Sequence, residues 1–231
     1  MKNGESMDTD LRAWPLFASL SEADAKRHGS LFRTQQYDPG ETLYTEGEPA
    51  RYVYLIRRGR VKVTRTSHDG KDLIIGFFGR GDFVGCCCLL EAVKLPCAAS
   101  AVRPTEVLCL PQKDYFALLH EHPELAIKAL QEVTKKLRVA HHKMKNLALD
   151  LVERRVVAAV LELSDRFGAE LEIGSRVIRC RVTRLELAQM AGTTLESASR
   201  TMSKLRRAGW IRSSKEGIVL LDRDALLRFS A

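Results

Sequence analysis

The stretch GDFVGCCCLLEAVKLPCAAS, Gly81 to Ser100, sets Cys86, Cys87 and Cys88 side by side and brings Cys97 nine residues later. Thiols at this density can oxidise or capture sulfur, ligate a metal centre as thiolates, or fill an apolar space without reacting. Cys109, in EVLCL, and Cys180, in IRCRV, read as small buried hydrophobes. No two of the six cysteines are spaced as CxxC. In a reducing compartment they do not form a disulfide framework.

A second stretch carries a different chemistry. VTRLELAQMAGTTLESASRTMSKLRRAGWI opens with Thr183 and Glu186 at capping-box spacing, and Leu185, Leu187, Ala188 and Met190 give a short amphipathic helix. Gly192 allows a tight turn. Thr194 can cap a second helix, in which Leu195, Ala198, Met202 and Leu205 form an apolar stripe and Glu196, Ser199 and Arg200 face elsewhere. That is helix-turn-helix geometry, whose second helix enters a DNA major groove. Arg200 can donate to guanine O6 and N7, Glu196 can accept from the cytosine amino group, and Ser199 can meet either kind of base edge. Lys204, Arg206 and Arg207 follow as phosphate contacts. The charge agrees: between Arg176 and Lys215 ten basic residues face two acids, and this segment holds the whole net charge of +8. A surplus so confined is the footprint of a polyanion-binding face.

The elements that must position these residues follow from periodicity. From Tyr37 to Leu110 short β-branched or aromatic runs, VYLI, RVKV and LIIGFF among them, alternate with glycines at 40, 47, 59, 70, 79 and 81 that read as turns. HDG before a strand is a hairpin signal, and the whole reads as an antiparallel barrel or jelly roll. After Pro111 the period changes. Pro123 suits a first helical position, and apolar residues then fall into heptads: Leu130, Leu137, Met144 and Leu151 in one row, Ala126, Val133, Ala140 and Leu147 in the other. Such a helix of about 27 residues is about 40 Å long and calls for a partner helix, so a homodimer is expected. Asp150 and Glu153 read as a capping box that starts a further helix ending at Gly168, which makes Asn146 to Asp150 a hinge. GWIRSSKEGIVLLD reads as a hairpin, the wing. The expected domains are residues 1–122, a sensing barrel; 123–149, the dimerisation helix and hinge; and 150–231, the winged helix-turn-helix.

In this order the glycine-spaced PGETLYTEGEPARYVYLIRRGRVKV, the GRGDFVG turn, the long helix and the winged helix-turn-helix resemble the cyclic-AMP receptor and fumarate-nitrate regulator family of bacterial transcription factors, over nearly the whole chain. The resemblance implies an α+β chain: a cyclic-nucleotide-binding-like β jelly roll, a long dimerisation helix and a C-terminal winged helix-turn-helix. It implies double-stranded DNA as partner, a second copy of the chain, and RNA polymerase. Glu196 to Arg200 is more similar to the fumarate-nitrate branch, whose matching Glu, Ser and Arg read TTGAT-like palindromic half-sites; cyclic-AMP receptors typically carry Gly in place of Ser199.

The resemblance breaks at the cysteines. Cyclic-nucleotide-binding members hold a ribose-binding glutamate where this chain has Cys86, and an Arg-Ser pair that aligns within a residue or so with Cys97 and Ala98. A buried polar group without its partner costs about 1–3 kcal/mol, and a charge more, so cyclic AMP is a poor effector for this chain. The relatives' N-terminal cysteine cluster for an iron–sulfur centre is absent. Three sensors stay open: a thiol redox or sulfur sensor at Cys86 and Cys97 with Cys87 or Cys88 resolving; a haem or iron–sulfur site on those thiolates with a histidine or Cys109; or an apolar small-molecule pocket. A segment joining barrel to dimer helix would pass the change to the hinge.

Catalysis is not expected. A cupin-like barrel enzyme needs a His and carboxylate metal set, which the barrel segment lacks, and no P-loop, nucleophile elbow or HExxH occurs. The polar start MKNGESMDTDLRAWPLF and the lack of any apolar run near about 20 residues point to a cytoplasmic protein with no membrane partner.

Overall fold

A computed structural model gives the fold and describes residues 11–85, 94–172, 175–178, 180, 182–215 and 217–230. It has two compact units, one reaching to Arg138 and the other running from Val139 and including Asp72–Ile74.

In the first unit two short 3-10 turns, Leu11–Ala13 and Pro15–Phe17, lead into α1 (Glu22–Gly29), capped by Ser21, whose side chain accepts from the Asp24 amide. Among the described residues six strands follow: β1 (Arg33–Tyr37), β2 (Thr42–Tyr44), β3 (Tyr52–Thr66), β4 (Asp72–Phe78, of which Asp72–Ile74 groups with the second unit), β5 (Phe83–Val84) and β6 (Ala98–Pro111). Their order is β1-β6-β3-β4, with β2 on β6 and β5 on β3. β6 pairs antiparallel with β1, β2 and β3. The core lies under β3 and β6, around Leu55, Ile56, Leu108, Leu110 and Phe17, whose ring meets those of Phe32 and Phe83 edge-on at 5.9 Å.

One expectation fails instructively. Gly59 does not turn the chain between VYLI and RVKV; both runs belong to the single 15-residue strand β3. Gly59 sits at φ +99 amid register shifts between Ile56 and Val61, and a Cβ there would lie 2.5 Å from the Thr105 Cα. This is a bulge, which bends the strand without ending it. Thr105 holds it: its buried hydroxyl accepts from the Arg60 amide at 3.1 Å and also lies 3.1 Å from the Arg60 carbonyl and 2.6 Å from that of Arg103.

β6 runs to Pro111 and passes directly into α2 (Gln112–Glu121), a helix the sequence reading missed although Tyr115 and Leu118 are spaced to bury one face. A single residue, His122, separates α2 from α3 (Pro123–Leu149), which has 27 residues and Pro123 first, as expected. Leu125 is buried, whereas Leu130, Val133, Leu137, Ala140, Met144 and Leu147 are exposed in the single chain.

The second unit holds α4 (Val152–Phe167), β7 (Gly168–Glu172), β8 (Ser175–Ile178), α5 (Arg184–Met190), α6 (Leu195–Arg207), β9 (Ile211–Ser213), β10 (Ile218–Leu220) and α7 (Arg223–Ser230). Its sheet runs β7-β8-β10-β9. The expected wing is β9 and β10; β7, β8 and α7 went unread. α4 buries Val156, Val157, Val160 and Leu163 and ends at Gly168 as expected. Its expected capping box is absent: Leu151 occupies the N-cap without a side-chain bond, Asp150 pairs with Lys145 at 3.3 Å, and Glu153 is bonded to Lys204. The expected hinge is correspondingly shorter. α3 stays helical to Leu149, only Asp150 and Leu151 separate it from α4, and Arg155 donates to the Leu147 carbonyl to satisfy the end of α3. Leu151 therefore falls outside the helix whose heptad it continues.

Cys109 and Cys180 are buried, as read. The Cys109 thiol also donates to Gln35 Oε1 at 3.2 Å, and burial pushes it up to about 12. The folded chain thus holds this proton above the ordinary value of 9.0, so the stabilisation it reflects is complete below about pH 9 and is lost as pH rises towards about 12. Urea unfolding from about pH 8 to about pH 11 should show wild type losing on the order of 2 kcal/mol more than Cys109→Ala. Parallel losses in the two proteins would contradict this.

Candidate functional site

The DNA-reading motif is built as its sequence implies. Thr183 caps α5 and Glu186 returns the bond to the Thr183 amide at 2.9 Å, completing the capping box. Gly192 takes φ +56 in the turn, and the Thr193 amide bonds to the Ala188 carbonyl at 3.0 Å. Thr194 caps α6 by accepting from the Ser197 amide at 3.3 Å. Ala198, Met202 and Leu205 are buried, joined by Thr201, whose hydroxyl bonds to the Ser197 carbonyl at 2.9 Å. Leu195, expected in the stripe, is exposed at the first turn.

On the other side of α6, Glu196 and Arg200 are exposed and Ser199 half-buried. Arg200 donates to Ser197 Oγ at 3.3 Å, which steadies the guanidinium. The Glu196 carboxylate is held below its usual range, first by its own backbone amide and then by the Thr194 hydroxyl, with Arg200 adding attraction. It therefore stays an acceptor at neutral pH.

Lys204 is engaged within the chain: its ammonium lies 2.6 Å from Glu153 Oε2 and 5.6 Å from the centre of the Phe229 ring. Sequence reasoning missed Arg184. It opens α5 half-buried, with one terminal nitrogen buried and unbonded, and both burial and the neighbouring Arg206 lower its pKa. Two like charges this close are unfavourable to each other. The signal was the position of Arg184 directly after a capping threonine.

Cys86, Cys87 and Cys88 lie outside the described residues. Cys97 is half-buried against the first unit's core, one residue before β6. The segment between Gly85 and Cys97 links β5 to β6 and does not join the barrel to α3, because the whole of β6 and α2 intervene. Outside the strand segment, Asp24, His28, Glu121 and His122 bring metal-ligating atoms together. Three of them belong to the helices that flank the strands and His122 to the break between two of those helices, so the strand sequence gave no sign of them. Among the described residues no helix is long and apolar enough to cross a membrane.

Residues 34–122 match the cyclic nucleotide-binding domain and residues 154–229 the Crp-like helix-turn-helix domain. The chain is 28% identical to the cyclic AMP receptor protein of Thermus thermophilus over 87% of its own length and 90% of that protein's. It is 26% identical to the transcriptional activatory protein AadR of Rhodopseudomonas palustris, over 92% and 87%. The structure of FixK2 from Bradyrhizobium japonicum superposes with a TM-score of 0.77 at 27% identity, covering 87% of this chain and 98% of that one. With its barrel, its long helix and its winged reading helix in that order, the chain belongs to the Crp/Fnr family of DNA-binding transcriptional regulators.

Proposed function

We propose that this regulator acts as a homodimer on a two-fold-symmetric DNA site with TTGAT-like half-sites, and that its barrel answers to an effector other than cyclic AMP through the cysteine segment. The observation that carries the DNA reading is the division of α6 into a buried stripe of Ala198, Met202 and Leu205 and an outer side bearing Glu196, Ser199 and Arg200. In a groove, Arg200 would read guanine and Glu196 cytosine, with Thr194 at the helix start and Lys204 set for a phosphate.

Competition binding on specific and random DNA tests this. Arg200→Ala should cost about 1–3 kcal/mol on the specific site and blur one base pair, whereas Lys204→Ala should weaken all sequences alike. Glu153→Gln should strengthen binding to both DNAs, because it releases the Lys204 ammonium. Equal loss on both DNAs for Arg200→Ala would contradict the assignment.

Dimerisation is supported by the exposed row along α3, where Leu130 and Met144 each keep more than three-fifths of their surface in the single chain. An apolar row at heptad spacing is stable in water only when covered. With half-sites about one helical turn apart, two reading helices require two chains. Leu137→Glu should halve the mass seen by sedimentation equilibrium and abolish binding to the full palindrome while leaving the helix content intact. A mass unchanged by the substitution would remove α3 from the interface.

The effector reading rests on Cys86 and Cys97, which the family resemblance aligns, Cys97 within a residue or so, with the ribose acceptor and the Arg-Ser pair of nucleotide-binding relatives. Moving a dimer from 1:99 to 99:1 active needs about 5.5 kcal/mol of preference, which a new S–S or persulfide bond can supply and one altered surface side chain cannot. DNA affinity of wild type, Cys86→Ser and Cys97→Ser should diverge after mild oxidant or polysulfide, and calorimetry should find no cyclic AMP binding. Micromolar cyclic AMP binding would overturn the pocket argument, and three identical affinities after every treatment would make the cysteines packing residues.

A further inference from the structure

Apart from the reading helix and the cysteine segment, four side chains with metal-ligating atoms meet where α1 approaches the break between α2 and α3. Asp24 and His28 stand one turn apart on α1, Glu121 closes α2, and His122 is the residue between α2 and α3. One ligand atom from each lies within 4.8 Å of the others. The His28 and His122 rings meet edge-on with centroids 5.3 Å apart, and His28 Nε2 is 3.4 Å from Glu121 Oε2. That spacing is about the edge of a tetrahedron with metal–ligand bonds of about 2.1 Å. His28 is 5% exposed, and its Nδ1 and the His122 Nε2 are both buried without a hydrogen-bond partner.

A cation already sits among these groups. The Arg27 guanidinium donates to Asp24 Oδ1 at 2.9 Å and to Glu121, and lies 3.2 Å from His28 Nε2. Its side chain is more than half exposed, so it can swing into solvent without uncovering the core. The position draws positive charge, and two imidazoles beside two carboxylates suit a borderline transition ion better than Mg2+ or Ca2+, which take oxygen ligands.

We propose that Asp24, His28, Glu121 and His122 form a binding site for a divalent transition ion of the Zn2+ type, which displaces Arg27 and staples α1 to the start of α3. The site is independent of the DNA-binding reading and of the cysteines. It joins two segments 93 or more residues apart in sequence. Binding must draw the loosest pair of donors together by up to about 1.4 Å, a movement within reach of side chains at a helix end.

Titration of the full chain with Co2+, followed by absorbance, tests the proposal. The expected result is one ion per chain with the d–d bands of an imidazole and carboxylate set and no thiolate charge-transfer band. Asp24→Asn and His122→Gln should each weaken binding by at least about tenfold. Arg27→Ala should tighten it, because the competing cation is gone; Asp24 and Arg27 are exposed enough for their replacement to leave the fold intact. No Co2+ binding, a thiolate band that survives His28→Gln with His122→Gln, or an affinity indifferent to Asp24→Asn and Arg27→Ala would overturn the site.

Discussion

β3 and β6 run antiparallel from the Tyr52–Pro111 pair to the Thr64–Ala98 pair, and the other strands of the first sheet depend on them. β1 and β2 are hydrogen-bonded to β6, and β4 and β5 to β3. The ladder therefore fixes where both ends of the cysteine segment sit, since Val84 pairs with Tyr54 on β3 and Ala98 begins β6. At its middle the pairing slips by a bulge that Gly59 permits and Thr105 locks, so the two halves of β3 present their side chains in different registers.

In the second unit the governing constraint is electrostatic. α6 is anchored by apolar contacts on one side, and its other side gathers charges that the chain satisfies only in part. Glu196 is held ionised by its own helix start, Lys204 leans on Glu153, and Arg184 keeps a buried nitrogen unbonded beside Arg206. Without a ligand such crowding of like charge is unfavourable; an anion relieves it. The outer side of α6 is thus partly self-neutralised, and under the proposed DNA contact Lys204 would exchange Glu153 for a phosphate.

Much of this was legible in the sequence because the signals were local. A capping box, a glycine turn and a capped second helix specify α5 and α6 within about 25 residues, and each of these caps formed. The heptads from Ala126 to Leu147 likewise specified α3. Gly59 was misread because a glycine that turns a chain and one that relieves a bulge look alike until the opposing Thr105 is in place, 46 residues away. The Asp150 capping box failed because α4 begins one residue later, with Leu151 at its N-cap, and Asp150 and Glu153 pair instead with Lys145 and Lys204, which lie outside the motif. The His and carboxylate set was invisible for the same reason: Asp24 and His122 become neighbours only after the barrel closes between them.

The single-residue break at His122 has a mechanical consequence. α3 rises over 27 residues, so it is a lever of about 40 Å pivoted beside α1. A tilt of about five degrees at that pivot carries the far end about 3.5 Å, close to the rise of one base pair along DNA. Contacts at the pivot that shift by a few tenths of an ångström are thereby geared up to several ångströms along the helix.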